Sequence, residues 1–402
     1  MKVNNEKKNV AIKILKSLDS IHLINSGAGV GKTTFVVYLI TKIFERSSNS
    51  EILVLSFSRN ARFELEKRVC ESSNIKIRTF HSFYLSIIQK NIGNKVPRKS
   101  ANKVGYSSLK ISEGIKLIVD DSEIIKYLKD NKIISCNKTI KIFLEQYKRI
   151  SWRRITNTDF RDLLKKYAKR KKQDNKIDLY EIEVIGYSLL RKYPHLVHSY
   201  DYIIVDEAQD SKSINIQTLR LLIDQDTKLI LAGDEYQNIY EFIGTPKSIS
   251  KVVAAKLKTF KSHYLPTSFR LTKRLANLAN SISKHCKSIE HKKIKANSSK
   301  KKGKKPKLVK SLGWEAIDYS VKKIKCGLKR GRYYGDYVYL FPIFKHRRFR
   351  KYKSRILKKL DKNNIHYYLK EDEDHRLEQI NLFYTIFHFN KQDKDTLELS
   401  NN

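Results

Sequence analysis

The sequence predicts an α/β fold built on a parallel β-sheet, and three observations indicate this. Apolar strand-like runs alternate with helix-compatible segments from Ile21 to Phe83. The same kind of strand returns at Tyr202–Asp206 and Lys228–Ala232. A cluster of glycines directly follows the first run, at Gly27–Gly31. Alternation of strand and helix is typical of a parallel sheet that binds ligands beyond the carboxyl ends of its strands.

The glycine cluster lies in SGAGVGKTT, although the whole chain has only 14 glycines in 402 residues. A strand, a glycine-rich loop and a helix opening with Lys-Thr is the arrangement that wraps backbone N–H groups around a phosphate chain. We expect Lys32 to reach the β- and γ-phosphates and Thr33 to hold Mg²⁺. The predicted nucleotide-binding residues are Ser26, Gly27, Ala28, Gly29, Val30, Gly31, Lys32, Thr33 and Thr34.

A second candidate site is the acidic sequence DEAQD, which begins at Asp206 and follows a strand of four apolar residues. An aspartate in this position can bind the same Mg²⁺ as Thr33, and the adjacent Glu207 can orient and deprotonate an attacking water. The alternative is a solvated acidic turn. A buried strand just before the acids favours the catalytic interpretation.

The formal net charge of +42 points to a polyanionic partner, most simply nucleic acid. A composition rich in Lys, Ile and Asn is also typical of an AT-rich genome, which explains part of the lysine excess. Basic runs at 165–176, 300–310 and 345–359 favour contact with a phosphate backbone, with a solvated face as the alternative. A membrane partner is disfavoured, since no stretch of about 18 apolar residues is present.

The four cysteines are scattered without a CxxC pair, which argues against a zinc site or a disulfide framework. The N-terminal stretch lacks the apolar region of a secretory signal. The expected location is therefore intracellular, in the cytoplasm or nucleus, and the composition is also compatible with a viral protein in a host-cell compartment.

The order of motifs SGAGVGKTT, VLSFSRNARFELEKR, TFHSF, IIVDEAQD, LAGDEYQNIYEFIG and LPTSFR resembles that of UvrD/Rep-type superfamily 1 DNA helicases, including their F-box-helicase-like branch. The resemblance spans about Asn4 to Leu271 and continues more weakly beyond. It implies a RecA-like P-loop motor that uses ATP and Mg²⁺ and acts on single-stranded or partly duplex DNA.

The same resemblance implies a division into domains. Residues 1–90 with 195–261 would form a RecA-like motor domain, 91–194 a helical insertion, and 262–402 a partial second RecA-like domain with a basic linker at about 287–310. In this arrangement the sheet of the first domain is interrupted by the insertion and then resumes.

Further roles follow from the resemblance, residue by residue. Gln237 would sense the γ-phosphate, Arg270 would reach it from the second domain, and Phe269 would stack on adenine. The residues implied to contact DNA are Phe57, Arg59, Thr79, Phe80, His81, Tyr240 and Phe242. Aromatic side chains suit this task because they stack on any base.

Some positions depart from the family pattern. The glutamine that reads adenine should fall near Lys7, and Glu235 and Ile243 replace the usual proline and arginine. Near the C-terminus, Phe387–Lys391 resembles only part of a later motif, and no second arginine motif follows. The expectation is a C-terminally truncated second domain, or one that a protein partner completes.

Three functions remain open from the sequence. The leading hypothesis is an ATP-dependent DNA helicase or single-strand translocase in replication, recombination or repair, with Glu207, Gln237 and Arg270 as catalytic residues. The alternative is a nucleic-acid-binding ATP switch with little or no turnover. A P-loop phosphotransferase is disfavoured, because DEAQD and GDEYQ have no place in it.

Overall fold

The computed structural model describes most of the chain. The described residues are 3–90, 116–118, 121–147, 158–196, 198–238, 245–246, 248–257, 259–285, 292–306, 314–341, 347–367, 369–370 and 383–386. The chain forms two compact units, residues 1–306 and 307–402. None of the described helices is long and apolar enough to cross a membrane.

The first unit is organised on a six-stranded sheet in which every pair of neighbours runs parallel. Its strands are β1 (Ile21–Ser26), β2 (Ile52–Ser56), β3 (Ile75–Thr79), β6 (Tyr202–Val205), β7 (Lys228–Gly233) and β8 (Lys261–Leu265). The order across the sheet is β3-β2-β6-β7-β1-β8. The predicted α/β fold with a parallel sheet is confirmed.

Both faces of this sheet are buried, because apolar residues occupy successive positions of the central strands. Along β2, Leu53 and Leu55 face one apolar cluster, whereas Ile52 and Val54 face another. Alternate residues of a strand point to opposite faces, so a continuous apolar run is the pattern of a strand covered on both sides.

The helices cover the two faces. The first unit contains α1 (Asn5–Lys16), α2 (Lys32–Arg46), α3 (Arg59–Glu66), α4 (Phe80–Gln89), α5 (Asp121–Asp130), α6 (Asn137–Tyr147), α7 (Thr158–Gln173), α8 (Leu179–Lys192), α9 (Ser213–Leu222), α10 (Ile249–Leu257) and α11 (Lys273–Ser283). Helices α1 and α2 contribute to one cluster, whereas α4, α8 and α9 contribute to the other.

Helices α5–α8 lie in the segment where the sequence predicts a helical insertion, together with a short parallel pair, β4 (Lys116–Ile118) and β5 (Lys176–Asp178). Lys171 of α7 is fully buried and pairs with Asp178 and with Glu181, whose Oε2 is 2.5 Å from Nζ. Asp178 caps the N-terminus of α8 in a capping box with Glu181. The buried lysine thus fixes the end of α7 to the start of α8.

The predicted second domain begins at residue 262, inside β8, but β8 is the edge strand of the first sheet and pairs with β1 from His22 to Ser26. The next short strands, β9 (Thr267–Ser268) and β10 (Lys295–Ala296), also pair within this unit. Part of the predicted linker is therefore packed: Ile294 accepts a hydrogen bond from the Asn280 side chain through its carbonyl oxygen.

The second unit contains α12 (Trp314–Leu328), β11 (Val338–Phe341), α13 (Arg347–Asp361), β12 (Leu369–Lys370) and β13 (Phe383–Ile386). A small core joins the helices, with members from Ile317 on α12 to Leu360 on α13. The three described strands pair antiparallel in the order β11-β13-β12, which differs from the parallel pairing that a RecA-like sheet predicts.

Candidate functional site

The glycine-rich loop joins β1 to α2 at the carboxyl edge of the sheet. Gly29 and Gly31 have φ angles of +71° and +81°, a region that only glycine adopts without strain. Gly31 is the N-cap of α2, and its carbonyl accepts from the N–H of Phe35 at 3.0 Å. The loop thus ends at a helix N-terminus, where free N–H groups and the helix dipole attract an anion.

Three strands bring the sequence motifs to this edge. Strand β7 pairs with β1, so that Asn25 faces Gly233, and β7 also pairs with β6, so that Val205 faces Leu231. The loop after β1, the acids after β6 and the GDEYQ segment after β7 therefore begin side by side, because neighbouring parallel strands end at one edge.

Lys32 and Glu207 form an ion pair at this edge, with 3.4 Å between Nζ and Oε2. Lys32 is buried, whereas Glu207 is partly exposed. Glu207 has a left-handed backbone with φ +51° and ψ +47°, which is uncommon for a residue with a Cβ atom. Strained backbone of this kind clusters at functional sites, which agrees with the catalytic role predicted for Glu207.

The Thr33 hydroxyl donates a hydrogen bond to Oδ2 of Asp206 at 3.0 Å. A hydroxyl and a carboxylate are hard oxygen ligands that suit Mg²⁺, which takes few protein ligands and completes its shell with phosphate oxygens and water. Among the described residues no group of three or more His, Cys, Asp and Glu could hold a metal by itself. Thr33 and Asp206 thus fit a cation that arrives with a nucleotide.

Burial raises the pKa of Asp206 to about 6, and the neighbouring carboxylate of Glu207 acts in the same direction. Burial likewise raises the pKa of Asp210 to about 8, again with a contribution from Glu207. Oδ1 of Asp210 is buried and has no hydrogen-bond partner among the residues described. Burial therefore disfavours the charged form of these carboxyl groups, and a cation bound beside them would stabilise that charged form.

Gln209 connects two of the motifs, a role that the sequence did not suggest. Its Nε2 donates to Oε2 of Glu207 at 2.9 Å, and its Oε1 accepts from the backbone N–H of Asp234 at 2.9 Å. Gly233 lies so close that a Cβ atom there would be 2.9 Å from Oε1 of Gln209. The position of Gln209 inside DEAQD was the only signal for it.

Gln237, predicted to sense the γ-phosphate, ends a short 3₁₀ turn after β7. Its Nε2 donates to Oδ2 of Asp234 at 2.6 Å. The other oxygen of Asp234 accepts from the N–H of Tyr236. Gln237 is thereby held by the side chain of Asp234, whose backbone N–H Gln209 contacts. Its role in nucleotide sensing stays a prediction.

Phe269 and Arg270 reach the phosphate loop from the segment after β9. The N–H of Phe269 donates to the carbonyl oxygen of Gly29 at 2.9 Å, and a Cβ atom on Gly29 would lie 2.3 Å from Cβ of Arg270. The ring of Phe269 is 37% exposed. The two residues predicted to contact the nucleotide therefore lie at the loop and belong to the first unit.

The predicted DNA contacts follow β2 and β3 at the same edge. Phe57 lies just beyond β2 and Arg59 is exposed at the start of α3. Thr79 caps α4, since its hydroxyl accepts from the N–H of Ser82. These positions are compatible with contact to DNA, and the contacts themselves stay predictions.

One predicted DNA contact is corrected. Phe80 is only 3% exposed and belongs to the core beside Tyr84, with 6.5 Å between the ring centres. A ring that is covered on both faces has no surface on which a base can stack. Tyr240 and Phe242 lie outside the described residues, as do Ile243 and Phe387–Lys391.

His81 is linked to the DEAQD segment through a buried ion pair. Lys212, two residues after DEAQD, places Nζ 2.9 Å and 2.8 Å from the two carboxylate oxygens of Glu183 on α8. Nε2 of His81 lies 3.5 Å from the same carboxylate. Glu183 of α8 thus contacts both His81 of the TFHSF segment and Lys212, which follows the acidic motif.

Glu235, which replaces the usual proline, has a structural role. Its Oε1 accepts from the hydroxyl groups of Ser248 and Ser250 and from the N–H of Ser250 at 2.9 Å. A carboxylate that binds N–H groups in the first turn of α10 stabilises that helix end.

The comparisons with known proteins agree with this geometry. Residues 4–252 match the model of the UvrD/REP helicase N-terminal domain. A probable DNA helicase II homolog of Mycoplasma capricolum is 26% identical over 352 residues, which cover 81% of this chain and 47% of that protein. The ATP-dependent DNA helicase PcrA of Staphylococcus epidermidis is 25% identical over 289 residues, 65% of this chain and 38% of that protein.

A third relative is the ATP-dependent DNA helicase Rep of Buchnera aphidicola subsp. Acyrthosiphon pisum, which is 26% identical over 385 residues, 87% of this chain and 55% of that protein. The chain spans about half or less of the length of these relatives. The family model covers more than half of the chain and includes the phosphate loop and DEAQD. The chain therefore belongs to the UvrD/Rep helicase family.

Proposed function

We propose that this chain is an ATP-dependent DNA helicase or single-stranded DNA translocase that acts in replication, recombination or repair. The observation that carries the proposal is the convergence of the phosphate loop with DEAQD. The pairs Lys32–Glu207 and Thr33–Asp206 join the two segments at 3.4 Å and 3.0 Å. The names of the relatives point to the same activity.

In the proposed reaction Lys32 moves its ammonium group from Glu207 to the terminal phosphates. Its departure leaves the Glu207 carboxylate available to accept a proton from the attacking water, while Gln209 keeps that carboxylate oriented. Thr33 and Asp206 would hold Mg²⁺, which neutralises charge on the phosphates when bound. Arg270 lies beside Gly29 and would stabilise charge on the transferred phosphoryl group.

DNA is proposed to bind along the neighbouring part of the same sheet edge. The segments after β2 and β3 carry Phe57, Arg59 and His81, and β2 is paired to β6, which carries DEAQD. The contact between His81 and Glu183 and that between Glu183 and Lys212 connect this region to the nucleotide site. Lysine-rich surfaces would add affinity that depends on salt and not on sequence.

The second candidate is a nucleic-acid-binding ATP switch with little turnover. One observation favours it: Lys32 and Gln209 both engage the Glu207 carboxylate, so the proposed base is occupied in this conformation. The helicase proposal requires a nucleotide to release Glu207, whereas the switch requires only that nucleotide binding changes DNA affinity.

The test is ATP hydrolysis by the purified full chain with and without single-stranded DNA, alongside Lys32→Ala and Glu207→Gln. Stimulation by DNA that both substitutions abolish supports the motor. DNA and ATP binding with no turnover above that of Lys32→Ala would favour the switch and overturn the helicase proposal. Arg161→Gln, on the exposed surface of α7, is the control and should hydrolyse ATP as the unchanged chain does.

A further inference from the structure

A basic cavity lies beside β3, the outermost strand of the first sheet. It has a volume of about 200 Å³, and its wall includes Lys76 and Arg78 of β3, Lys90 at the end of α4, and His198 and Tyr200 before β6. None of the described residues that line it is acidic. Three strands separate β3 from β1, which places this β3 pocket about 19 Å from the strand that carries the phosphate loop.

The pattern of β3 explains why cations lie here. The two isoleucines of β3 pack against one apolar cluster of the sheet, so Lys76 and Arg78 point to its other face. In the register of the sheet, Lys76 pairs with Leu53 of β2. Arg78 likewise pairs with Leu55, and both leucines belong to the core. At the edge of the sheet the core is therefore bordered by two cations instead of further apolar side chains.

Arg78 and Lys90 bring charges that the chain does not neutralise. Neither side chain forms a hydrogen bond or an ion pair with any residue that the structure describes. Arg78 is half-buried and Lys90 is exposed. Lys76 differs, because its Nζ lies 3.2 Å from Oε2 of Glu51. A half-buried guanidinium without an acceptor is costly, and an anion that enters the pocket removes this cost.

The aromatic residues of the β3 pocket favour a phosphate over a base as its ligand. Nζ of Lys76 lies 5.6 Å from the centre of the Tyr200 ring, and the His198 ring meets the same ring edge-on. Tyr200 is only 7% exposed and Phe83 only 2%. Since neither ring offers a free face for stacking, the pocket presents mainly charge to a ligand.

The β3 pocket adjoins the TFHSF segment, which is predicted to contact DNA. Arg78 immediately precedes Thr79, the last residue of β3 and the N-cap of α4. Lys76 lies three residues before Thr79, which is about 10 Å along a strand. Lys90 is the C-cap of the same helix. The pocket therefore extends from the predicted DNA segment down the outer side of β3, away from the nucleotide site.

We propose that the β3 pocket binds a backbone phosphate of single-stranded DNA, beyond the contacts predicted from the motifs. Arg78 would donate two parallel N–H groups to the phosphate, and Lys90 would add a point charge. The site contributes affinity without reading the base. The proposal rests on the proposed function, since it extends the path of the same DNA. The alternative is that the cations only keep the edge strand from pairing with another chain, which requires no ligand.

The test is the affinity of the full chain for oligothymidylate without nucleotide, measured by fluorescence anisotropy at a series of salt concentrations. The double variant Arg78→Gln with Lys90→Gln should bind roughly 5- to 100-fold more weakly at low salt. The slope of log affinity against log salt concentration should fall by about 0.7, because one phosphate is no longer bound. Arg78→Lys keeps the charge and should retain the slope.

Lys13→Gln is the matched control, because Lys13 is exposed on α1, which contacts β8 at the opposite edge of the sheet. It should change neither the affinity nor the slope. Urea unfolding should show that the double variant is folded. A folded double variant with unchanged affinity and slope would overturn the proposal. If that variant weakened the binding of polyglutamate alone, the pocket would bind an acidic peptide, and the proposal would be overturned as well.

ATP hydrolysis distinguishes the failure of this inference from the failure of the proposed function. The double variant should need more DNA for half-maximal stimulation but reach the same maximal rate, because the pocket is remote from the nucleotide site. If the unchanged chain hydrolyses no ATP and the double variant still weakens DNA binding, the helicase proposal fails and the pocket stands. If the unchanged chain binds no single-stranded DNA, both fail.

Discussion

The Thr33 hydroxyl donates a hydrogen bond to the Asp206 carboxylate at 3.0 Å, although 173 positions separate the two residues in the chain. One oxygen comes from the first turn of α2 and the other from the end of β6. The two atoms that the sequence assigns to one Mg²⁺ are thus adjacent. Their approach depends on β7, which lies between β6 and β1 and joins the two strand ends.

Thr33→Val should weaken the dependence of ATP hydrolysis on Mg²⁺. The substitution keeps the shape of the side chain but removes its oxygen, so we expect at least a tenfold higher Mg²⁺ requirement, by analogy with the roughly 10- to 100-fold effects seen at metal sites. A Mg²⁺ titration of hydrolysis measures this. Thr33→Ser keeps the hydroxyl and serves as the control; an unchanged requirement in Thr33→Val would contradict the assignment.

Glycine and alanine variants of Glu207 should differ in stability but lose catalytic activity alike. Because Glu207 has φ +51°, glycine at this position should give a free energy of unfolding about 1 kcal/mol higher than alanine does. Urea unfolding measures the difference. Both variants lack the proposed base and should lose roughly 10²- to 10⁴-fold in turnover.

The control for this comparison is Glu64, which is exposed on α3. There alanine should be the more stable of the two by about 1 kcal/mol, because glycine is unfavourable in a helix. If alanine were also the more stable variant at Glu207, the left-handed backbone of that residue would not be retained.

Lys212→Met should destabilise the chain strongly. It leaves the carboxylate of Glu183, which is buried, without its lysine, and breaking a buried pair costs about 3–5 kcal/mol. The double variant with Glu183→Gln should recover part of that loss, since no buried charge remains. Urea unfolding of the two variants measures this.

The matched control is Lys165→Met, which removes an exposed pair with Asp162 on α7. Exposed pairs contribute about 0–1 kcal/mol, so its unfolding curve should stay close to that of the unchanged chain. A Lys212→Met variant as stable as this control would show that Glu183 and Lys212 do not form a buried pair.

His22 should make the chain less stable in mild acid. Its Nδ1 lies 3.1 Å from Nε2 of His263 on β8, and its Nε2 lies 3.0 Å from the carbonyl oxygen of Asp19. A carbonyl only accepts, so Nε2 of His22 carries the proton and Nε2–H of His263 donates to Nδ1. Burial, and then the positive charge of His263 when protonated, lower the pKa of His22 from 6.5 to about 4.

The unfolded chain takes up this proton near pH 6.5 and the folded chain only near pH 4. The contribution of His22 to the free energy of unfolding is therefore complete above pH 6.5. It decreases as the pH falls toward 4, by at most about 1.4 kcal/mol per pH unit. Urea unfolding across this range measures the slope. His22→Gln should reduce this slope, whereas His285→Gln, at an exposed position two residues beyond α11, should not. An equal slope in all three proteins would contradict the prediction.

Much of the first sheet could be predicted from the sequence because its strands are short apolar runs. The run from Ile52 to Ser56 is buried throughout and matches a predicted strand. Phe80 shows the limit of this approach: the motif predicts a DNA contact, but the periodicity of α4 places the ring in the core. Strand β8 shows another limit of sequence-based prediction. A local apolar pattern can indicate a strand, but it does not indicate that this strand pairs with β1 in the first sheet.

The sequence alone determined the family, the sheet class and the identity of the phosphate-binding and acidic residues, because these are encoded by local runs and motif order. The tertiary structure decided what these residues contact. It brought Thr33 to Asp206, placed Gln209 between Glu207 and Asp234, and set Lys7 against Phe269. These contacts depend on strand order and helix packing. Both result from the packing of residues that are far apart in the sequence, so no local stretch of the chain predicts them.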